Sequence, residues 1–388
     1  MDRVMVAGSA AELEELQRLS AEYEADMAAR RQAARSQRPA LAPEEEMELR
    51  RLAKQFNLDR RPGIAELGEK ASIDSVYQMA RDELTCEEGV LMQNAPRANV
   101  ALFLSTAIDD PASAVHTLAA DGVLRVNSVL SPSTAVALLA HVNAELAARR
   151  QAADQRYFAR TDTLGANRYD LLIEIPAPPV RAALAELLPR LAPIIGGTLG
   201  ADATLFELAA LVAEPGAARQ PSHPDTRHDR SAAVCPDGTA VIVTVFVALQ
   251  AVEPTMGPTC FVPRTHTADA HARAHAGLES RRALLRESPN HIGTLGVGDA
   301  NVMDSRTIHC GGANESSTRR VLLVVSFRRG ALHSEKLQEV GIYCGSLLDE
   351  LRVAELCLGS EVDAWCEQLE AAACGGEGGE AKEVPALY

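Results

Sequence analysis

The chain is poor in aromatic side chains: Phe, Trp and Tyr make up 4% of its 388 residues, with a single Trp. Its core must therefore be mostly Ala, Val and Leu. It also lacks a basic excess, since 38 Lys and Arg against 53 Asp and Glu leave a net charge of −15. That argues against nucleic acid or an anionic membrane as the main partner. The eight cysteines contain no Cys-x-x-Cys pair. With no secretory h-region before them they read as reduced thiols, and a cytoplasmic location is expected. The apolar runs Val241–Leu249 and Val321–Phe327 are under half a bilayer span, so a soluble chain is expected. What is present is ordinary globular composition, 47% apolar and 23% charged, which excludes disorder throughout.

The spacing of Leu13, Leu16, Tyr23 and Met27, and of Leu49, Leu52 and Phe56, predicts peripheral helices over residues 1–108. A boundary falls near Asp109-Asp110-Pro111. Beyond it Val123, Leu124 and Val126 predict a strand. Ser131 then caps a helix with Pro132 at its first turn and Val136, Leu139, Val142 and Leu146 along it. Leu205–Val212, Val241–Leu249, Ala300–His309 and Val321–Phe327 read as strands separated by turn clusters. Val241–Val247 is apolar at nearly every position and should be covered on both faces. The domain expected over 109–330 is mainly β with flanking helices. A helical extension over 331–388 (Leu347, Leu348, Leu351, Leu358, Trp365, Leu369) should end in the Gly/Glu stretch Gly375–Glu380.

The segment Gln220-Pro-Ser-His223-Pro-Asp225 places an imidazole and a carboxylate two residues apart, on one side of an extended backbone. Composition alone often supplies one His-x-Asp, so this signal is weak by itself. His309 strengthens it. It ends an apolar strand, a turn follows at Cys310–Asn314, and the chain returns as Arg319-Arg320-Val-Leu-Leu-Val-Val. An antiparallel hairpin would set an arginine beside His309. Two histidines and one carboxylate make the facial triad of non-haem Fe(II) oxygenases. A guanidinium suits the distal carboxylate of a dicarboxylate such as 2-oxoglutarate.

Gln220 with His223-Pro-Asp225, the segment Met256–His266, the segment Gly298–His309 and Gly312–Ser316 resemble successive blocks of the phytanoyl-CoA dioxygenase family. Asp121-Gly122 and Leu130-Ser131-Pro132 extend the likeness to about residues 114–329. The resemblance implies a double-stranded β-helix (jelly-roll) core, Fe(II) held by His223, Asp225 and His309, and 2-oxoglutarate anchored by an arginine after the second histidine. Two departures stand out. Arg264 puts a charge where the family has none, and the turn after His309 is one residue short. Matching the Arg-Arg pair to the family makes Arg319 the anchor, and ungapped counting makes it Arg320. Alternation of Arg319, Val321, Leu323 and Val325 favours Arg319. Gln220 either contacts cosubstrate or orients a ligand. His266 and Asn314 read as structural, and Cys310 as a buried filler.

The expected activity is an Fe(II)- and 2-oxoglutarate-dependent dioxygenase, an oxidoreductase taking dioxygen and a small molecule. It would hydroxylate a C–H bond and release succinate and CO2, with ascorbate supporting the assay. The alternative is a catalytically silent jelly-roll binding protein that keeps a metal site. A halogenase is disfavoured because Asp225 is a carboxylate. Arg227, His228 and Arg230 make the mouth locally cationic, which suits either an anionic substrate or steering of the cosubstrate.

Overall fold

Alternation along Val321, Leu323, Val325 and Phe327 turns one set of side chains to a helix layer, while Leu322 and Val324 between them turn the other way. This strand organises the computed structural model, which describes residues 85–104, 111–152, 167–175, 177–330, 332–340, 342 and 351–352. The chain divides into Met1–Arg81 and Asp82–Tyr388, and every described residue belongs to the second unit. The helices expected near Leu13–Met27 and Leu49–Phe56, and most of the C-terminal extension, lie outside the described residues.

In chain order the elements are helix α1 (residues 85–94), β1 (Leu102–Leu104), α2 (Pro111–Asp121), β2 (Val123–Asn127), α3 (Pro132–Gln151), β3 (Arg168–Leu172), α4 (Pro178–Leu199), β4 (Thr204–Ala213), α5 (His228–Val234) and β5 (Ile242–Ala248). They continue with β6 (Thr259–Phe261), α6 (Ala268–His275), α7 (Leu278–Glu287), β7 (His291–Ile292), β8 (Ala300–Asp304), β9 (His309–Gly311), β10 (Arg320–Arg328), α8 (Ser334–Glu339) and β11 (Leu351–Arg352). The major sheet runs β1-β2-β8-β5-β10-β4-β11 with β3 also on β4, and the minor sheet runs β7-β6-β9. Together they form the jelly-roll core. Among the described strands all pairings are antiparallel except β1 with β2. Strand β1 thus ties residues ahead of 109 into the major sheet.

Three apolar layers result. Helices α2, α3 and α4 cover the outer face of the major sheet through Leu118, Leu138, Leu187, Val245 and Leu323. Phe246, Phe261, Met303, Leu322 and Val324 fill the space between the sheets. Met92, Cys260, Val262, Leu284, Leu285 and Cys310 form a layer outside the minor sheet, beneath α1, α6 and α7. Every position of β5 is buried, its valines facing the helices and Phe246 the interior, as its unbroken apolar run predicts. Each such side chain contributes about 1.5–3 kcal/mol of transfer free energy.

Helix α3 begins as its sequence dictates: the Ser131 hydroxyl accepts from the Thr134 N–H at 3.3 Å, with proline in the first turn. Its buried face is Ala135, Leu138, Val142 and Leu146, whereas Val136 is 58% exposed. The stripe is therefore rotated from the predicted one, because alanine can occupy a core position that a Leu/Val count passes over. Helix α4 is long and apolar enough to cross a membrane by length and composition. Here it is a core helix with nine buried residues. Helices of this length make the molecule less purely β than expected. Leu351, expected in a helix, lies instead on β11 against β4.

The hairpin expected from His309 through Arg319 does not form. Strands β8 and β10 both belong to the major sheet, and β9 belongs to the minor one. The chain crosses between sheets at Ser305–Ile308 and again at Gly312–Arg319. Buried Asp304 fixes the first crossing. It accepts from Arg306 Nε and Nη2 at 2.9 and 2.6 Å, and its carbonyl accepts from the Thr307 N–H at 2.8 Å. An apolar run does not by itself reveal that one half pairs in one sheet and the rest in the other.

Candidate metal centre

Register assembles the site. Phe261 on β6 is the partner of His291 on one side and of His309 on the other. His223 joins this row by an isolated antiparallel bridge to His309, with both backbone N–H···O bonds at 2.9 Å. Residues opposite one another across strands share a face, and Phe261 lies in the apolar layer between the sheets, so the row looks inward. The imidazoles of His223 and His309 have centroids 4.7 Å apart, and Phe261 stacks on His309 at 6.1 Å.

Each imidazole is held by its own strand. His223 Nδ1 lies 2.8 Å from the Pro221 carbonyl oxygen, and His309 Nδ1 lies 3.0 Å from that of Thr307. A carbonyl can only accept, so Nδ1 donates in each ring and Nε2 is the ring nitrogen left to face the cluster. Those two Nε2 atoms lie 3.8 and 3.7 Å from the same Asp225 Oδ1. Ligand atoms of all three residues fall within 4.8 Å of one another. Two imidazole nitrogens and a carboxylate oxygen in such a cluster form a donor set suited to a divalent transition metal. Backbone carbonyls fixing the far ring nitrogens are the usual support for metal-bound histidine. Asp225 is exposed and His309 is buried, so solvent reaches the cluster from the Asp225 side.

A cationic region lies within the same core. Arg320 is 2% exposed and shares the alternation of inward-facing Leu322 and Val324. It donates to the Gly257 carbonyl, and its buried Nε has no partner among the described residues. Arg168, at the start of β3, donates from Nε and Nη2 to the Ala218 carbonyl at 3.0 and 2.8 Å, and also to that of Gly312. Burial pushes the Arg168 guanidinium down to about 10. Burial and the nearby Arg168 charge push Arg320 down to about 9. Among the described residues neither has a carboxylate in ion-pair distance. Buried cations of this kind are costly unless an anion compensates them.

Arg319 is not brought to this region. It turns to the helix side, where Nε and Nη2 grip Glu214 at 3.0 and 2.5 Å and Nη1 donates to Asn143 Oδ1 at 2.6 Å. Strand alternation does align Arg319 with Val321, Leu323 and Val325, but that face meets α3 and α4. Gln220 lies at the junction. Its Oε1 accepts from the Gly311 N–H at 2.9 Å. A Cβ at Gly311 would come within 2.5 Å of Gln220 Oε1 and 2.9 Å of Arg168 Nη1, so only glycine permits this approach.

The remaining residues have structural partners. His266 Nε2 lies 3.0 Å from the Ala119 carbonyl oxygen. Asn314 closes its turn by donating to Ala213 and Thr318 carbonyls, both at 2.9 Å. Arg264 pairs with Asp121 at 2.8 Å. Cys310 is buried on the outer face, where the hydrogen bond with Cys260, and then the Arg219 charge, hold its thiol down at about 7. The cationic mouth is weaker than its sequence suggests. Arg227 is bound to both oxygens of Asp229 at 3.0 and 2.8 Å, and burial followed by the Arg306 charge lowers His228. Sequence reasoning missed Arg168, whose only signal is the short Arg-Tyr-Asp-Leu-Leu run of β3.

Between the sheets of the jelly roll a His-x-Asp and a distant His converge in a cluster that could hold a metal ion. The sequence profile of the phytanoyl-CoA dioxygenase family matches residues 118–322, more than half of the chain. The chain belongs to that family, and so to the 2-oxoglutarate-dependent oxidoreductases. No curated protein sequence matches it. Similar solved structures include the epimerase SnoN in complex with Fe3+, alpha ketoglutarate and nogalamycin RO, at 22% identity over 56% of this chain and 84% of that one, TM-score 0.42. AviO1 from Streptomyces viridochromogenes Tue57 matches at 19% identity over 56% and 95%, TM-score 0.42. The non-heme alpha ketoglutarate dependent carbocyclase SnoK matches at 18% over 63% and 95%, TM-score 0.42.

Proposed function

We propose that the chain binds Fe(II) and 2-oxoglutarate and hydroxylates a C–H bond of a small molecule, with release of succinate and CO2. The observation that carries this reading is the convergence of His223 Nε2 and His309 Nε2 on the Asp225 carboxylate. Bound Fe(II) with 2-oxoglutarate and dioxygen supplies the oxidising power for an unactivated C–H bond. His223, Asp225 and His309 would hold the metal through Nε2, a carboxylate oxygen and Nε2. Arg320 would take the distal carboxylate of 2-oxoglutarate, with Arg168 adding a second buried positive charge. Phe246 and Phe261, with ring centroids 6.2 and 6.1 Å from that of His309, keep water from that side. Substrate enters beside exposed Asp225. Gln220 acts from behind, through Gly311. The described cysteines are free thiols, which fits a cytoplasmic setting.

The test is succinate formation with Fe(II), 2-oxoglutarate and ascorbate, with and without candidate metabolites. Slow succinate release by the native chain, abolished in His309→Ala, is the expected result. Metal binding without any succinate across a broad metabolite panel would instead leave a silent binding protein.

A further inference from the structure

The segment bearing His223 is an edge of the minor sheet. On one side the backbone of His223 pairs with His309. On the other, the N–H and C=O of Ser222 point away from the sheet, where a further strand would otherwise be needed. Two side chains take that place. Glu88 Oε2 accepts from the Ser222 N–H at 3.0 Å and from its hydroxyl at 2.6 Å. Arg281 Nη2 donates to the Ser222 carbonyl at 2.5 Å and to Oγ at 2.8 Å, and its Nε closes the ring on Glu88 Oε1 at 2.5 Å. Glu88 is 3% exposed and Ser222 4%. Glu88 comes from α1, outside the family-matched residues 118–322, and Arg281 comes from α7.

Burying an ion pair is poor value as stabilisation, since desolvation offsets most of the Coulomb gain. Geometry is what this pair supplies. Every polar group of Ser222 is fixed one residue ahead of a metal ligand, and the Pro221 carbonyl that orients His223 Nδ1 lies one residue further back. We infer that Glu88 and Arg281 are positioning residues for the metal centre, holding the His223 imidazole where its Nε2 meets Asp225 and His309. This rests on the metal reading of those three residues.

The test uses the full chain and Co(II), with affinity read from the visible d–d absorption at a temperature well below melting, and the melting temperature recorded alongside. Glu88→Ala and Arg281→Ala should each weaken Co(II) binding about tenfold or more, as loss of outer-shell partners does. The double variant should be little weaker than either single one, because the ring breaks once. Glu88→Gln, which keeps an acceptor for the Ser222 N–H, should fall between. If Glu88→Ala does not fold, Glu88→Gln and Arg281→Lys carry the same comparison. Folded variants with a lower melting temperature and unchanged Co(II) affinity would overturn the inference and leave a purely structural clamp. A native chain that binds no Co(II) would overturn the metal reading, and this inference with it.

Discussion

Arg319 and Arg320 are adjacent in the chain and face opposite sides of β10. Arg320→Ala removes a buried cation whose Nε has no partner among the described residues. It should raise the Michaelis constant for 2-oxoglutarate about tenfold or more while sparing Co(II) affinity, since charge-assisted hydrogen bonds contribute about 1.5–3 kcal/mol. Arg319→Ala breaks a partly exposed pair with Glu214. It should cost about 0.5–1 kcal/mol of stability and leave the Michaelis constant alone. The reverse pattern in a 2-oxoglutarate titration would return the anchor to Arg319. At the metal, His223→Ala or His309→Ala should abolish Co(II) binding, and unchanged metal content by elemental analysis would sink the site. The clustering of His223, Asp225 and His309 was legible because His-x-Asp is local and the resemblance orders the block that carries His309 after it. The choice between the arginines was not. Alternation says which residues share a face, but not which face meets helices, and the acceptors that claim Arg319 lie far away at Asn143 and Glu214.

Strands β4, β5 and β10 were legible because each is a long, mostly apolar run buried on both sides. The elements that escaped are short or interrupted. Strand β6 has three residues and β7 two, too few for a period to show. Helix α4 carries Pro189 and Pro193 in its interior, residues that ordinarily end a helix. Burial of its apolar face outweighs the hydrogen bonds those prolines remove. The short β9 carries one His and one Gly with opposite demands: His309 must reach inward, and Gly311 must present nothing. Gly311→Ala should therefore weaken 2-oxoglutarate binding by displacing Gln220 and Arg168, and should lower the melting temperature as well. Calorimetric titration of 2-oxoglutarate together with thermal denaturation checks both, and an unaffected titration would separate Gln220 and Arg168 from the cosubstrate.

Across the whole molecule, every described contact of the candidate metal centre lies at or beyond residue 85. A chain starting at residue 82 should keep native Co(II) affinity. One starting at 105 loses Glu88, Met92 and β1, and should bind Co(II) about tenfold more weakly if it folds. Equal affinities in the two would remove α1 from the site. Four histidines also set a pH limit. Burial is the main cause that lowers His228, His271, His275 and His291, the last to about 4 from 6.5. A group depressed in the folded state binds fewer protons there than when unfolded, so stability rises with pH across that interval. Melting temperature should thus fall as pH drops from 6.5 towards 4, and a flat profile would show these rings already charged in the folded chain.

The bridge between His223 and His309 has one more consequence. A single pair of backbone hydrogen bonds joins these two residues, and Asp225 follows on the same edge segment. A metal shared by the three side chains would close a loop of more than eighty residues, adding to the backbone pair and to the Gln220–Gly311 and Thr226–Ser305 hydrogen bonds that already close it. Whatever binds the folded form alone stabilises it by mass action, about 2.7 kcal/mol at a hundredfold excess over the dissociation constant. Amide exchange at Ser222, His223 and His309 should therefore slow when metal is added, ahead of any turnover. The edge of the sheet would then act as a fastening closed by the cofactor, and the protein's resistance to unfolding would report how much metal surrounds it.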